Sequence, residues 1–283
     1  MNDSAPEQIR AEDWAGEMGE KWNTYAEQFE SMISACGEAA IAYGAFEPGE
    51  TVIDIGCGAG PSALDIAKRV APGGRVVGLD ISPVLIDTAR ARAAASNADN
   101  VRFVVGNAAI CEPPDRFDTL FSRFGVMFFE DSDGAFRNMA RFVKPGGRLV
   151  LCVWGPPAEN PWVGDMMAVV RRHVDVPPPD PRAPGPFAFA DTQYVRDILT
   201  QAGFRNIEFT SRNVDLYLGG RSCNATEAAR FAVDVLFVGD ALADASERTS
   251  AAVIDEINGL MRRHETADGV VLRGNIWLIT ARI

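Results

Sequence analysis

Positive charge is scarce in this chain of 283 residues: 27 Lys and Arg stand against 39 Asp and Glu, a net charge of −12. A field of that sign repels phosphate backbones and anionic membranes, which disfavours a nucleic-acid partner. No basic cluster offsets it, because Arg171-Arg172 and Arg262-Arg263 are only pairs. Paired cysteines are missing as well. Cys36, Cys57, Cys111, Cys152 and Cys223 are odd in number and never form C-x-x-C, so a disulfide framework and a zinc site are both excluded. No metal centre is expected. Long apolar runs are absent too; Leu149 to Trp154 is strand-length and far too short to span a bilayer. The opening MNDSAPEQIR has no basic n-region and no apolar h-region, which argues against a signal peptide. The expectation is a soluble cytoplasmic protein, with a homodimer left open.

The hydrophobic fraction of 47% against 23% charged supplies ample material for a core. The length suits one large α/β domain with insertions, or a domain plus a cap. Residues 1–45 read as helix, with Trp14, Met18, Trp22, Tyr25, Phe29, Met32 and Cys36 recurring at steps of three and four. Gly16 and Gly19 predict a break near the start. From Thr51 short β runs alternate with helical ones. Strands are expected at Thr51–Ile55, Arg75–Asp80, Val101–Val105, Phe117–Ser122 and Arg148–Trp154, with helices at Pro61–Val70, Pro83–Ala95 and Asp133–Val143 between them. That rhythm means βαβ crossovers and a parallel sheet.

After Trp154 the rhythm stops. A helix is expected at Trp162–Val174, and then six prolines fall within residues 176–186, a stretch that can be neither helix nor interior strand. A helix at Thr192–Ala202, a strand at Ile207–Leu218, an amphipathic helical segment at Thr226–Arg263 and a last strand at Gly274–Ile283 complete the reading. The domain plan is a helical cap over 1–45 and a sheet domain over 46–283, with insertions at about 156–190 and 219–265.

The most informative stretch is Val52-Ile-Asp54-Ile-Gly56-Cys-Gly58-Ala-Gly60-Pro61, a buried strand running into three alternate glycines and a helix start. Glycine is needed where the backbone turns tightly and meets a ligand closely. A dinucleotide fingerprint would place its third glycine at position 61, where this chain has proline; a phosphate-binding P-loop would need a following Lys-Ser/Thr, which is missing. Asp80 ends the second strand, twenty residues after Gly60. An acid there can accept from both ribose hydroxyls and marks a nucleoside ligand; an ordinary strand-end turn former is the bland alternative.

Together with Phe117-Asp118-Thr119-Leu120 and Lys144-Pro-Gly-Gly-Arg148-Leu, these residues resemble the class I S-adenosylmethionine (SAM)-dependent methyltransferases. The likeness covers residues 22–154 well, and is strongest to the small-molecule branch that includes the ubiquinone/menaquinone methyltransferases. It implies a Rossmann-like, seven-stranded, mostly parallel sheet with helices on both faces and the last strand antiparallel beside the fifth. It also implies SAM as cofactor and S-adenosylhomocysteine (SAH) as product. Carried over by position, Asp54 and the backbone of Gly56 and Gly58 hold the amino-acid end, and Gly60 completes the cofactor-binding loop. Asp80 takes the ribose and Ile81 packs on the adenine. Asn107, followed by Ala108, stands where the family usually has an acid facing the adenine amine; an amide oxygen can also accept from an amine. Ser122 supplies the contact beside the sulfonium.

Methyl transfer from a sulfonium needs alignment more than acid–base work, so no fixed catalytic signature is expected. Three side chains are candidates on the acceptor side. His173, on the expected face of Met166 and Val170, is a candidate base or an ordinary half-buried histidine. Tyr25 is a candidate for closing over the pocket, or part of a docking stripe. Arg123, just past the fourth strand, is a candidate for orienting an anionic substrate, or pairs with an acid. Aromatic and Met residues near the same edge suggest a small apolar or aromatic acceptor, methylated at oxygen, carbon or nitrogen. The rival readings are a non-catalytic SAM-binding module and an NAD(P)-dependent oxidoreductase.

Overall fold

The computed structural model describes residues 11–113 and 115–283; the opening MNDSAPEQIR lies outside the described residues. The N-terminal apolar stripe is not one helix but four: α1 (Ala11–Ala15), α2 (Glu17–Thr24), α3 (Ala26–Met32) and α4 (Ser34–Gly44). The break expected near Gly16 is there, and two more fall at Tyr25 and Ile33, where ψ opens to 19° and 15°. The bends let one stripe follow a curved surface, burying Phe29, Met32, Cys36 and Ile41 in turn.

Next come β1 (Thr51–Ile55), α5 (Pro61–Val70), β2 (Arg75–Asp80), α6 (Pro83–Ala95), β3 (Val101–Val105), β4 (Phe117–Arg123), α7 (Ser132–Ala140) and β5 (Val143–Trp154). All of β1 is buried, because helices cover both faces of the sheet. β5 begins earlier than its apolar run suggests. Val143 pairs with Phe117, the register then shifts, and Arg148 pairs with Thr119. Lys144–Gly147 is thus an irregularity within the strand, with Gly146 at φ 80°. Asp118 explains its neighbour's lysine: its carboxylate accepts from Thr51 N–H (2.8 Å), Thr51 Oγ1 (2.6 Å) and Lys144 Nζ (2.9 Å). Those bonds outweigh desolvation and hold its carboxyl down at about 2. The triad pins β1, β4 and β5 at their amino ends, opposite the functional edge.

The second half comprises α8 (Pro161–Val170), α9 (Thr192–Gln201), β6 (Arg205–Tyr217), α10 (Ala225–Asp234), α11 (Phe237–Ala241), α12 (Glu247–Arg263), β7 (Glu265–Thr266) and β8 (Gly269–Arg282). The expected amphipathic segment is therefore three helices. α10 is started by a capping box between Asn224 and Glu227, and α12 by the Ser246 side chain. Strand order is β3-β2-β1-β4-β5-β8-β6, with β7 pairing only to β8. β1 to β5 run parallel, and β8 inserts antiparallel between β5 and β6. The expected mixed sheet and its inserted last strand are both present. Phe117, Phe121, Phe136, Phe142 and Phe189 are fully buried in the core. Among the described residues no helix is long and apolar enough to cross a membrane, and no His/Cys/Asp/Glu group could hold a metal ion.

Candidate functional site

Strand order reverses between β1 and β4, the place where open α/β sheets leave a crevice at their carboxyl ends. The glycine loop sits there. Its first residues are tied to the neighbouring strand, Gly56 N–H donating to Leu79 O at 2.8 Å. Gly56 has φ 66°, and a Cβ on it would stand 2.7 Å from Gly125 Cα, so the loop after β4 requires glycine here. Gly58, at φ 54°, is different: a Cβ would meet nothing within 4 Å. The loop presents bare backbone to open space.

Asp80 holds that backbone in place. Its Oδ2 accepts from Gly58 N–H at 2.7 Å and its Oδ1 from Ser82 N–H at 2.9 Å. Burial pushes its carboxyl above the ordinary range, while the N–H groups of Ser82, Gly58 and Ile81 pull it back. Of the roughly four lone pairs of the carboxylate, these three bonds leave one for a further donor. Half-buried Ile81 follows. Gly106 N–H bonds Asp80 O at 2.8 Å, which brings Asn107 and buried Ala108 to the same edge. Asn107 Oδ1 accepts from Ala109 N–H at 2.9 Å, closing its own turn.

Asp54 is 0% exposed. Ser62 Oγ donates to its Oδ2 at 2.6 Å, whereas its Oδ1 has no partner. Burial raises its carboxyl to about 7, against the lowering effects of the Ser62 bond and of the Arg123 charge. A buried carboxylate with an empty oxygen is costly to a fold, and such groups concentrate at functional sites. Buried Ser122 donates to Ile55 O at 2.7 Å, locking the end of β4 to the end of β1. The structure therefore gathers Asp54, Gly56, Gly58, Gly60, Asp80, Ile81, Asn107, Ala108 and Ser122 along one edge.

An aromatic wall borders that edge. Phe124, two residues past Ser122, has φ 62°, unusual for a bulky side chain and characteristic of constrained sites. Its ring stacks on Trp154 (centroids 4.5 Å apart, 17° between planes), Trp154 meets Trp162 at 5.1 Å, and Trp162 meets Phe237 at 6.1 Å. The N-terminal cap adds Trp14 against Phe128 at 4.9 Å and Tyr25 against Phe231 at 6.3 Å. The cap is pinned on both sides. From α6, Thr88 Oγ1 donates to Asn23 Oδ1 at 2.7 Å and Arg92 pairs with Glu30 of α3, while Arg221 N–H donates to Ser31 Oγ at 2.9 Å.

Asn160 is a residue that the sequence reading passed over. It is fully buried, its Oδ1 accepts from Trp162 Nε1 (3.1 Å) and Asn275 N–H (2.9 Å), and its Nδ2 faces the carbonyls of Gly155, Pro156 and Asn275. It fixes Trp162 in the wall. The only hint in the sequence was an asparagine beside Pro161, indistinguishable from a turn former.

His173 does not join this group. α8 ends at Val170, short of the expected Val174, so His173 falls in the turn beyond the helix and loses the face it was expected to share. Its Nε2 lies 2.7 Å from Glu256 Oε1 on α12, and Arg172 takes the other oxygen of Glu256 at the surface. His264 caps the end of α12.

Residues 46–168 match a family model described as a methyltransferase domain. The chain is 31% identical over 160 residues to an uncharacterized protein of Mycobacterium tuberculosis, covering 54% of this chain and 56% of that one. It is 36% identical over 124 residues to a demethylmenaquinone methyltransferase of Deinococcus radiodurans, covering 44% and 50%. It thus spans about half the length of the curated relatives it matches. Among solved structures, the YcgJ protein of Bacillus subtilis superposes with a TM-score of 0.56 at 19% identity, over 87% of this chain and 97% of that one.

Proposed function

From the premise that residues 46–168 are a class I SAM-dependent methyltransferase domain, we propose that the protein moves a methyl group from SAM to a small apolar or aromatic acceptor, at oxygen, carbon or nitrogen. One observation carries the reading: bare Gly58 backbone, clamped by Asp80, opens into free space beside a fully buried Asp54 with an unpartnered oxygen. These residues suit the cofactor. An orphaned carboxylate oxygen suits an ammonium, a spare carboxylate lone pair suits a ribose hydroxyl, and a loop without side chains admits a nucleoside closely.

When bound, SAM supplies a methyl group already activated on a sulfonium. The chain's own part is binding, orientation and exclusion of water. Asp54 and the backbone of Gly56, Gly58 and Gly60 hold the amino-acid end, Asp80 the ribose, Ile81 the adenine face, and Asn107 with Ala108 the adenine edge. Asn107 offers its Nδ2 and one remaining lone pair there, since its turn uses the other. Ser122 borders the sulfonium. Phe124, Trp154 and Trp162 form an apolar wall for the acceptor, and Tyr25, whose hydroxyl has no hydrogen-bond partner among the described residues, is the cap's candidate for touching it. Arg123 is a cation at this edge. We read residues 1–45 as a cap and 46–283 as the catalytic domain. The net charge of −12 favours a small acceptor over nucleic acid.

Isothermal titration calorimetry with SAM, SAH and NAD, followed by SAH release across a panel of phenols and quinols, tests the reading. Binding of SAM and SAH without NAD, with turnover of at least one acceptor, supports it. SAM binding with no turnover on any acceptor leaves a cofactor-binding module. NAD binding without SAM overturns the assignment and the argument from Pro61.

A further inference from the structure

A cavity of about 450 Å³ opens between α4 and α5, beside the glycine loop. Arg123, Ser62, Ser34, Gly37 and Pro61 are among the residues that line it. Arg123 follows directly on Ser122 at the end of β4 and is half-buried. Among the described residues its guanidinium makes no hydrogen bond and no ion pair, although thirteen ion pairs form elsewhere in the molecule. Its five N–H donors are therefore available to a ligand that enters the cavity.

The fold makes room for this cation. Gly37 lies inside α4, where glycine weakens a helix relative to alanine. A Cβ at position 37 would stand 3.0 Å from Arg123 Nη1 and 3.6 Å from its Cδ, so any side chain there would press on the guanidinium. The acids around the cavity are otherwise engaged: Glu30 with Arg92, and Asp65 with Lys68 at 2.8 Å. Exposed Glu38 and exposed Arg69 offset one another at the rim. Pro61 and Ser62 are the first turn of the ten-residue α5, the positive end of its dipole. Asp54 lies just beneath, bonded to Ser62.

We propose that this cavity is a carboxylate-binding subsite in which Arg123 is the partner of the anion. A guanidinium fits the planar, two-oxygen geometry of a carboxylate, while the carboxylates of Asp54 and Glu38 nearby disfavour a dianion. The inference rests on the cofactor reading and deepens it. The carboxylate belongs to the amino-acid end of SAM or to the acceptor, and Asp54 next door, a partner for the accompanying ammonium, favours the first.

Calorimetry on the full chain decides. Wild type, Arg123→Gln and Gly37→Ala are titrated with SAH, with 5′-methylthioadenosine, which keeps the nucleoside and sulfur but lacks the amino-acid end, and with benzoate on the SAH-loaded protein. A loss of about 10- to 100-fold in SAH affinity for Arg123→Gln, with 5′-methylthioadenosine affinity held within about twofold, places the cofactor's carboxylate on Arg123. Retained SAH affinity with lost benzoate binding supports the subsite and gives it to the acceptor. SAH affinity unchanged, with no Arg123-dependent binding of benzoate, overturns the proposal. If Arg123→Gln fails to fold, Gly37→Ala serves in its place: it keeps the charge but displaces it, and binding of both SAH and benzoate as tight as wild type overturns the proposal. Wild type that binds neither SAH nor 5′-methylthioadenosine brings down the cofactor reading together with this inference, an outcome distinct from the loss of Arg123 alone.

Discussion

Asp54 should trade stability for ligand binding, and Asp54→Asn separates the two. Its carboxyl is raised by burial from 3.8 to about 7. Between those values the folded protein holds a proton that the unfolded chain has released, so this group's contribution to stability falls as pH rises from about 4 through about 7. The full difference is about three pKa units, or of order 4 kcal/mol of destabilisation above pH 7 relative to pH below 4. Asn keeps an oxygen to accept from Ser62 Oγ and carries no charge to bury, so Asp54→Asn should melt several degrees higher than wild type at about pH 8, with the gap closing toward about pH 5. Binding moves the other way. An ammonium favours the ionised carboxylate, so wild-type affinity for SAH should be about tenfold weaker at about pH 6 than at about pH 8, while the variant should be weak and flat. Differential scanning calorimetry and titration calorimetry over that range read both arms. A variant no more stable than wild type at the higher pH, or wild-type SAH affinity independent of pH, refutes the reasoning.

Asp80→Ala removes the partner of Gly58 N–H and Ser82 N–H together with the proposed ribose contact, and should weaken SAM binding by about 10- to 100-fold, or about 1.5–3 kcal/mol; unchanged calorimetric affinity removes Asp80 from that role. Gly58→Val puts a branched side chain into the open cradle at φ 54°, so SAH binding should be lost while the circular dichroism spectrum stays native; retained binding shows that the cradle is not the cofactor site. His173→Ala should leave the methyl-transfer rate as it is at neutral pH, because its ring is held by Glu256 at the surface; a large fall in rate would return it to the acceptor pocket. Asn160→Ala leaves Trp162 Nε1 and Asn275 N–H buried without an acceptor, at about 1–3 kcal/mol each, so the urea midpoint should fall accordingly; an unchanged midpoint disproves the locking role.

The sheet was legible in the sequence because its strands are short apolar runs between strong punctuation. Thr51–Ile55 and Arg75–Asp80 are bounded by Gly, Pro and acid residues, and both fall where expected. The glycine loop was legible for a different reason. Positive φ and close approach restrict the residue type so tightly that Gly56, Gly58, Gly60 and Pro61 declare their geometry in one dimension. Boundaries were read less well wherever periodicity continues through a bend. The cap stripe runs unbroken in sequence across Tyr25 and Ile33, yet the helix breaks at both to follow a curved surface.

Side-chain partnership was decided by tertiary structure alone. Local sequence makes His173 look like a pocket residue, but α8 stops at Val170 and α12 supplies Glu256, 83 residues away, to hold the ring. Asn160 reads as a turn former and becomes the hub between β8 and the aromatic wall, because Asn275 arrives from 115 residues along the chain. Gly37 reads as a flaw in a helix and proves to be the space that Arg123 occupies. Sequence fixes what depends on a residue's own backbone: period, turn and glycine. Which charge faces which cavity depends on groups brought together only when the chain closes on itself, and no local pattern records that distance.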